Sequence, residues 1–129
     1  MRALLVLLLA YAGASLLHYA HNAEFLADYP NMPAWLSRTK VYAAWLAVTA
    51  LGAIGYLLLR RGHPFAGLSV LGVYAALGFD GFGHYGLAPA SAHSATMNLT
   101  IWAEAGTAGL LLIAVASLIA KRVRASRIA

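Results

Sequence analysis

Four stretches of almost unbroken apolar character alternate with short polar intervals along the chain, and each is long enough to cross a membrane. The runs Ala3 to about His21, Val41 to Leu59, Phe65 to about Tyr85 and about Ile101 to Ala120 each supply the roughly 20 apolar residues a bilayer core requires of a helix. The interval D-Y-P-N-M-P-A-W-L-S-R-T-K, with two prolines, Asn31 and Trp35, suits an interfacial loop. R-R-G-H-P is long enough only for a turn, and Gly86 to Ser91, with Pro89, makes the last connection. The pattern predicts an all-α fold: one transmembrane domain over residues 1–129, an integral membrane four-helix bundle with helices about 3–21, 41–59, 65–85 and 93–120.

Composition agrees and narrows the chemistry. At 62% hydrophobic residues, 10% charged residues and a mean hydropathy of +0.73, the chain belongs with membrane proteins. Zero cysteines remove disulfides, thiolate metal sites, iron–sulfur clusters and thiol nucleophiles, so histidine and carboxylate must carry any chemistry. The nine Lys and Arg residues sit at helix ends rather than on a basic face with interleaved aromatics, which excludes nucleic acid as a partner and leaves the lipid bilayer. Arg2, Arg60, Arg61, Lys121, Arg122, Arg124 and Arg127 fall at one end of the predicted bundle, and Arg38 and Lys40 at the other. The positive-inside rule then gives an N-in, C-in orientation, the expectation being a bacterial-type inner (plasma) membrane. The opening M-R-A-L-L-V-L-L-L-A-Y-A-G-A-S also has the form of a signal peptide; it is read here as a retained helix.

The remaining polar residues do not scatter. Counting about 20 residues from each basic anchor puts the outer boundary near His21, near His84 and near Ile101, with Glu104 about one turn inside. All four acidic residues (Glu24, Asp28, Asp80 and Glu104) and four of the five histidines then lie at or above the outer face, with only His63 on the inner side. Neither residue class is governed by the positive-inside rule, and ionisable groups within a span usually face a bundle interior or wet cavity, so Asp80 and Glu104 mark a site. Helical spacing puts His18, Asn22 and Phe25 on one face with His21 adjoining, sets Asp80 and His84 one turn apart, and draws His93, Met97, Thr100, Glu104 and Thr107 into one stripe. His93 and Glu104 are separated by roughly 16 Å of helix rise, too far to share an ion.

Two or three imidazoles with one or two carboxylates and no thiolate suit a transition metal ion, iron or copper before zinc. The expected ligands are His18, His21, His84, Asp80, Glu104 and His93, with Glu104 or Asp80 as the catalytic proton acceptor and Asn22, Glu24, Met97 and Thr100 lining a substrate pocket. The run D-G-F-G-H followed by His93 is loosely similar, over fourteen residues, to a copper site in a subunit of copper membrane monooxygenases, and the resemblance implies copper or iron. A bis-histidine haem between His18 or His21 and His84 ranks lower, because Asp80 and Glu104 have little use beside a porphyrin. As an enzyme the protein would be metal-dependent and act on a lipophilic or small extracytoplasmic substrate; as a binding protein it would hold the ion. Two readings need no cofactor: an acid/base or lipid-binding pocket serving isomerisation or proton relay, and a structural polar network in an accessory subunit of a homo-oligomer or larger membrane complex. No nucleotide loop, Ser-His-Asp order or H-E-x-x-H is present.

Overall fold

The computed structural model describes residues 2–127 and is all-helical over that range. Helix α1 (Arg2–Glu24) leads through a short 3-10 turn (Leu26–Asp28) and an extended loop to α2 (Arg38–Arg60). A tight turn enters α3 (Pro64–Leu77), followed by a 3-10 turn (Asp80–Gly83), the single-turn α4 (His84–Leu87), another 3-10 turn (Ala90–Ala92) and the long α5 (Ala95–Ser126). Four segments are long and apolar enough to cross a membrane: Arg2–Glu24, Arg38–Arg60, Pro64–Leu87 and Ala95–Ser126.

Local chemistry explains most of these boundaries. Ser37 and Ser94 begin α2 and α5 by accepting from the backbone N–H groups of Lys40 and Met97, and the Met97 sulfur accepts the Ser94 N–H in return. At the end of α2, the His63 N–H reaches the Leu58 carbonyl and the Gly62 N–H that of Leu59, a Schellman closure that needs the left-handed φ of 83° at Gly62. Pro64 then opens α3 where its missing N–H costs nothing.

The expected third helix, 65–85, is broken. Its regular part ends at Leu77, and the chain continues through Gly78 into the 3-10 turn. A Cβ at Gly78 would stand 2.5 Å from the Ala108 Cβ and 2.7 Å from the Tyr11 ring, so the backbone here presses directly against α1 and α5. The fourth helix starts at Ala95 rather than 93, which puts His93 just outside it.

α1 packs chiefly on α5, and α2 on α3, while α3–α5 and α1–α2 contacts close the bundle. Small residues allow the tightest approach: a Cβ at Gly67 would fall 2.8 Å from the Gly55 carbonyl. One half of the interior is apolar, built from Leu4, Leu8, Leu68, Leu71, Leu111 and Val115. The other half, toward the end of α1 and the start of α5, holds the buried polar groups Ser15, His18, Asn22, His84, His93 and Glu104. These two halves are called here the basic end, after Arg60, Arg61 and Lys121, and the polar end.

Candidate functional site

Helix α1 brings one polar stripe into the bundle. Tyr11, Ser15, His18 and Asn22 follow the i, i+4, i+7, i+11 spacing of a single face and are all buried, at 0%, 0%, 3% and 6% exposure. Opposite them α5 presents Thr100 and Glu104, the latter 2% exposed, and the segment after the α3 break brings in Gly81 and His84. Tyr29, from the loop after α1, covers the top: its ring lies 4.9 Å from that of His84 and 6.5 Å from that of His93. Burial holds the Tyr29 phenol up at about 12, so it remains a neutral hydroxyl, 2.9 Å from His21 Nδ1.

Hydrogen bonding sets three imidazoles in the same tautomer. The Thr100 hydroxyl donates to the Met97 carbonyl, so it accepts from His18 Nδ1–H at 3.4 Å. His93 Nδ1–H donates to the Pro89 carbonyl at 3.1 Å. The Asn22 amide nitrogen donates to His84 Nε2 at 2.9 Å. In their neutral forms all three rings therefore carry the lone pair on Nε2.

Two of those lone pairs have nothing to accept from. His93 Nε2 is buried without a partner, and His18 Nε2 faces Glu104 Oε2 at 3.8 Å, beyond hydrogen-bond length. Glu104 Oε2 and Asn22 Oδ1 are also buried without partners. Acceptors predominate among these unmet groups, while the Ser15 hydroxyl and, on the early turns of α2, the Trp45 Nε1–H are buried donors that also lack a partner. Gly81 borders the gap, since a Cβ there would lie 3.5 Å from Glu104 Oε2 and 3.6 Å from His18 Nε2.

Beside this cluster lies a cavity of about 350 Å³. Its lining combines the polar side chains of His18, Asn22, Asp80 and His84 with the apolar ones of Met32, Pro33, Leu36, Val41, Ala44 and Leu87. A second cavity of about 510 Å³ lies on the far side of α1, lined by His21, Phe25, Asp28, Ala92, Ser94, Thr96 and Met97.

The residues singled out from the sequence thus part into groups. His18, His84 and Glu104 come together with Asn22 and Thr100, the His18 and His84 ring centres being 5.4 Å apart. His93 joins through His84, with ring centres 6.1 Å apart, although it lies far from Glu104 along the chain. Asp80 is exposed and lines the cavity rather than the cluster. His21 turns to Tyr29, and Met97 lines the second cavity. Glu24 leaves the site altogether, pairing with Arg38 at 2.6 Å and accepting from the Tyr42 hydroxyl at 2.8 Å. Among the described residues, no three histidine or acidic side chains gather closely enough to hold a metal ion between them.

Sequence reasoning missed Ser15, Tyr29 and the Met32–Leu36 wall. Ser15 could have been found from its i−3 spacing to His18; the loop residues gave no periodic signal. No family model matches the chain, and neither a curated protein nor a solved structure aligns with it.

Proposed function

We propose that the protein binds a small lipophilic molecule in the cavity at its polar end and exchanges a proton with it there. The reading is carried by the mixed lining: apolar side chains from the loop, α2 and Leu87 together with imidazole, amide and carboxylate groups from α1 and the Asp80–His84 segment. Pockets of this size and makeup, mostly apolar with a few convergent polar groups, are the usual form of a small-molecule site. His18 and His84 border the cavity, the His84 Nε2 accepting from Asn22 and the His18 Nε2 turned toward Glu104, so that His18 and Glu104 are the pair between which a proton would be held. The distribution of Lys and Arg supports a polar end facing outward from a bacterial-type inner membrane, with both termini inside.

Photolabelling tests this reading. An octanol analogue bearing a diazirine, added to protein in lipid nanodiscs, is expected to label Met32, Leu36 or Ala44, as mapped by mass spectrometry. Ala44→Trp, which fills the cavity from an exposed position, is expected to reduce that labelling several-fold without unfolding the protein. Labelling spread evenly over the lipid-facing helices and indifferent to Ala44→Trp would remove the pocket from consideration.

A transition metal ion is the second reading, favoured by the 3.8 Å gap between the His18 lone pair and Glu104 Oε2. Two ligands of one ion at about 2.1 Å each stand roughly 3–4 Å apart, so the gap suits a shared cation as well as a water. His18 and Glu104 would be its first ligands, with His84 as the next candidate; bound there, iron, copper or zinc would polarise a substrate oxygen or activate water. A near-stoichiometric metal in protein purified without chelator, lost in Glu104→Gln and in Gly81→Ala, would support it. Clean protein that stays metal-free after incubation with iron, copper and zinc would rule it out.

A further inference from the structure

The end of the bundle opposite the cavity carries positive charge that the protein does not neutralise. Seven of the nine Lys and Arg residues stand there, whereas all four acidic side chains belong to the polar end. Both cations of the polar end are engaged, Arg38 with Glu24 at 2.6 Å and Lys40 with the Trp35 carbonyl at 2.8 Å. Those of the basic end are all exposed, and among the described residues none of them forms an ion pair.

Packing registers bring five of these cations to one depth. His18 and Glu104, 3.8 Å apart, set α1 against α5; sixteen residues further toward the basic end, about 24 Å of helix rise, lie Arg2 on α1 and Ala120, next to Lys121, on α5. The Tyr74 ring joins α1 to α2, its centre 4.5 Å from that of Tyr11 and its edge 2.8 Å from where a Cβ at Gly52 would stand. Arg2 is nine residues from Tyr11 and Arg60 is eight from Gly52, so the two differ by about 1.5 Å in depth. Arg2, Arg60, Arg61, Lys121 and Arg122 therefore form one tier. Arg122 reaches over the end of the core, because it continues at i+7 the α5 face that buries Val115. Packed helices lie about 8–10 Å apart, comparable to the screening length of about 8 Å, so these like charges repel one another and together attract an anion.

The surface beneath the tier says what carries that anion. Val6, one turn from Arg2, is exposed, as is Leu57, one turn from both Arg60 and Arg61, and Ile113, two turns from Lys121 on the same face. Each cation thus stands over bare apolar surface. An acidic peptide or a nucleic acid would answer the charge and leave these side chains uncovered; a molecule with an acidic head joined to an apolar body answers both.

We propose that the basic end binds an anionic phospholipid, its phosphate held by the tier of Arg2, Arg60, Arg61, Lys121 and Arg122 and its chains lying along Val6, Leu57 and Ile113. The inference needs the four helices to cross a bilayer and is independent of the cavity and its occupant.

The test counts bound lipids by native mass spectrometry on protein in a neutral detergent, mixed with equimolar dioleoyl phosphatidylglycerol and dioleoyl phosphatidylcholine. Phosphatidylglycerol adducts are expected to exceed phosphatidylcholine adducts at least fivefold. Arg2→Gln, Arg61→Gln and Arg122→Gln combined, all at exposed positions, are expected to bring the ratio near one with helicity by circular dichroism unchanged, and the three corresponding Lys substitutions to retain the preference. Arg38→Gln with Lys40→Gln, at the polar end, is expected to leave it intact. Equal retention of the two lipids by wild type, or a preference that survives the three Gln substitutions, would overturn the proposal, the first of these leaving the cations to an acidic protein segment. Loss of the adducts to millimolar glycerol phosphate would overturn it too, since an anion without an apolar body would then suffice.

Discussion

The packing of α3 against α1 and α5 turns on a residue with no side chain. Gly78 lets the end of α3 touch Tyr11 and Ala108, and Tyr11 in turn donates its hydroxyl hydrogen to the Tyr74 carbonyl at 3.2 Å. A methyl group at this position would meet Ala108 at 2.5 Å, a contact that no rotamer change relieves. Gly78→Ala is therefore expected to destabilise the bundle by about 1–3 kcal/mol, the usual cost of overpacking, measured by denaturant titration in mixed micelles. Gly81→Ala differs, because its methyl would stand at ordinary contact distance from every neighbour; stability is expected to hold within about 1 kcal/mol while any ion between His18 and Glu104 is weakened. The pair of variants separates a packing glycine from one that keeps space open.

Among the elements, the loop from Phe25 to Ser37 has the most consequence for its length. It supplies Tyr29 over the imidazoles and Met32, Pro33 and Leu36 along the cavity, and is fastened at its base by Glu24, Arg38 and Tyr42. Asn31, at a φ of 57°, ties its middle to the Leu87 carbonyl at 2.9 Å. Exposed ion pairs add little to stability, so Arg38→Ala is expected to leave the melting temperature nearly unchanged. Its effect should fall on the pocket, seen as a several-fold loss of photolabel at Met32 and Leu36. None of this was legible in the sequence, because a loop has no periodicity and its partners are set by tertiary contacts. The break in α3 was not read from the sequence, because the apolar run continues past Gly78 and glycine in an apolar helix also serves close packing. What could be read was depth. Counting from the basic anchors put His18 or His21, Asp80, His84 and Glu104 at one level, because helix rise is nearly constant; which of them meet was not legible, since His21 turns to Tyr29, Asp80 stays exposed, and the departure of Glu24 toward Arg38 depended on where α2 begins.

For the whole molecule, the four spans followed from hydropathy alone, since a bilayer fixes both the length and the apolar character of anything that crosses it. Orientation is open to direct measurement because the chain lacks cysteine: Ser91→Cys at the polar end and Ser126→Cys at the basic end each introduce a unique, exposed thiol. An impermeant maleimide applied to intact cells is expected to modify the first and spare the second; the reverse result would invert the proposed topology.

The division of the interior into two halves has a bearing on energy transduction. The α1 stripe ends at Tyr11, beside the buried Tyr74 and Thr49 hydroxyls, and from there to the basic end the core among the described residues is mostly leucine and valine, with Tyr56 and Ile119 half-buried against it. On the function proposed above, a proton or cation that enters the site is expected to leave from the same end. Turnover, if there is any, draws on concentrations on one side alone and leaves the transmembrane voltage largely unspent. Proteoliposomes holding a potassium diffusion potential should accordingly keep it as long as protein-free vesicles do, and a faster decay would expose a path that this packing does not contain.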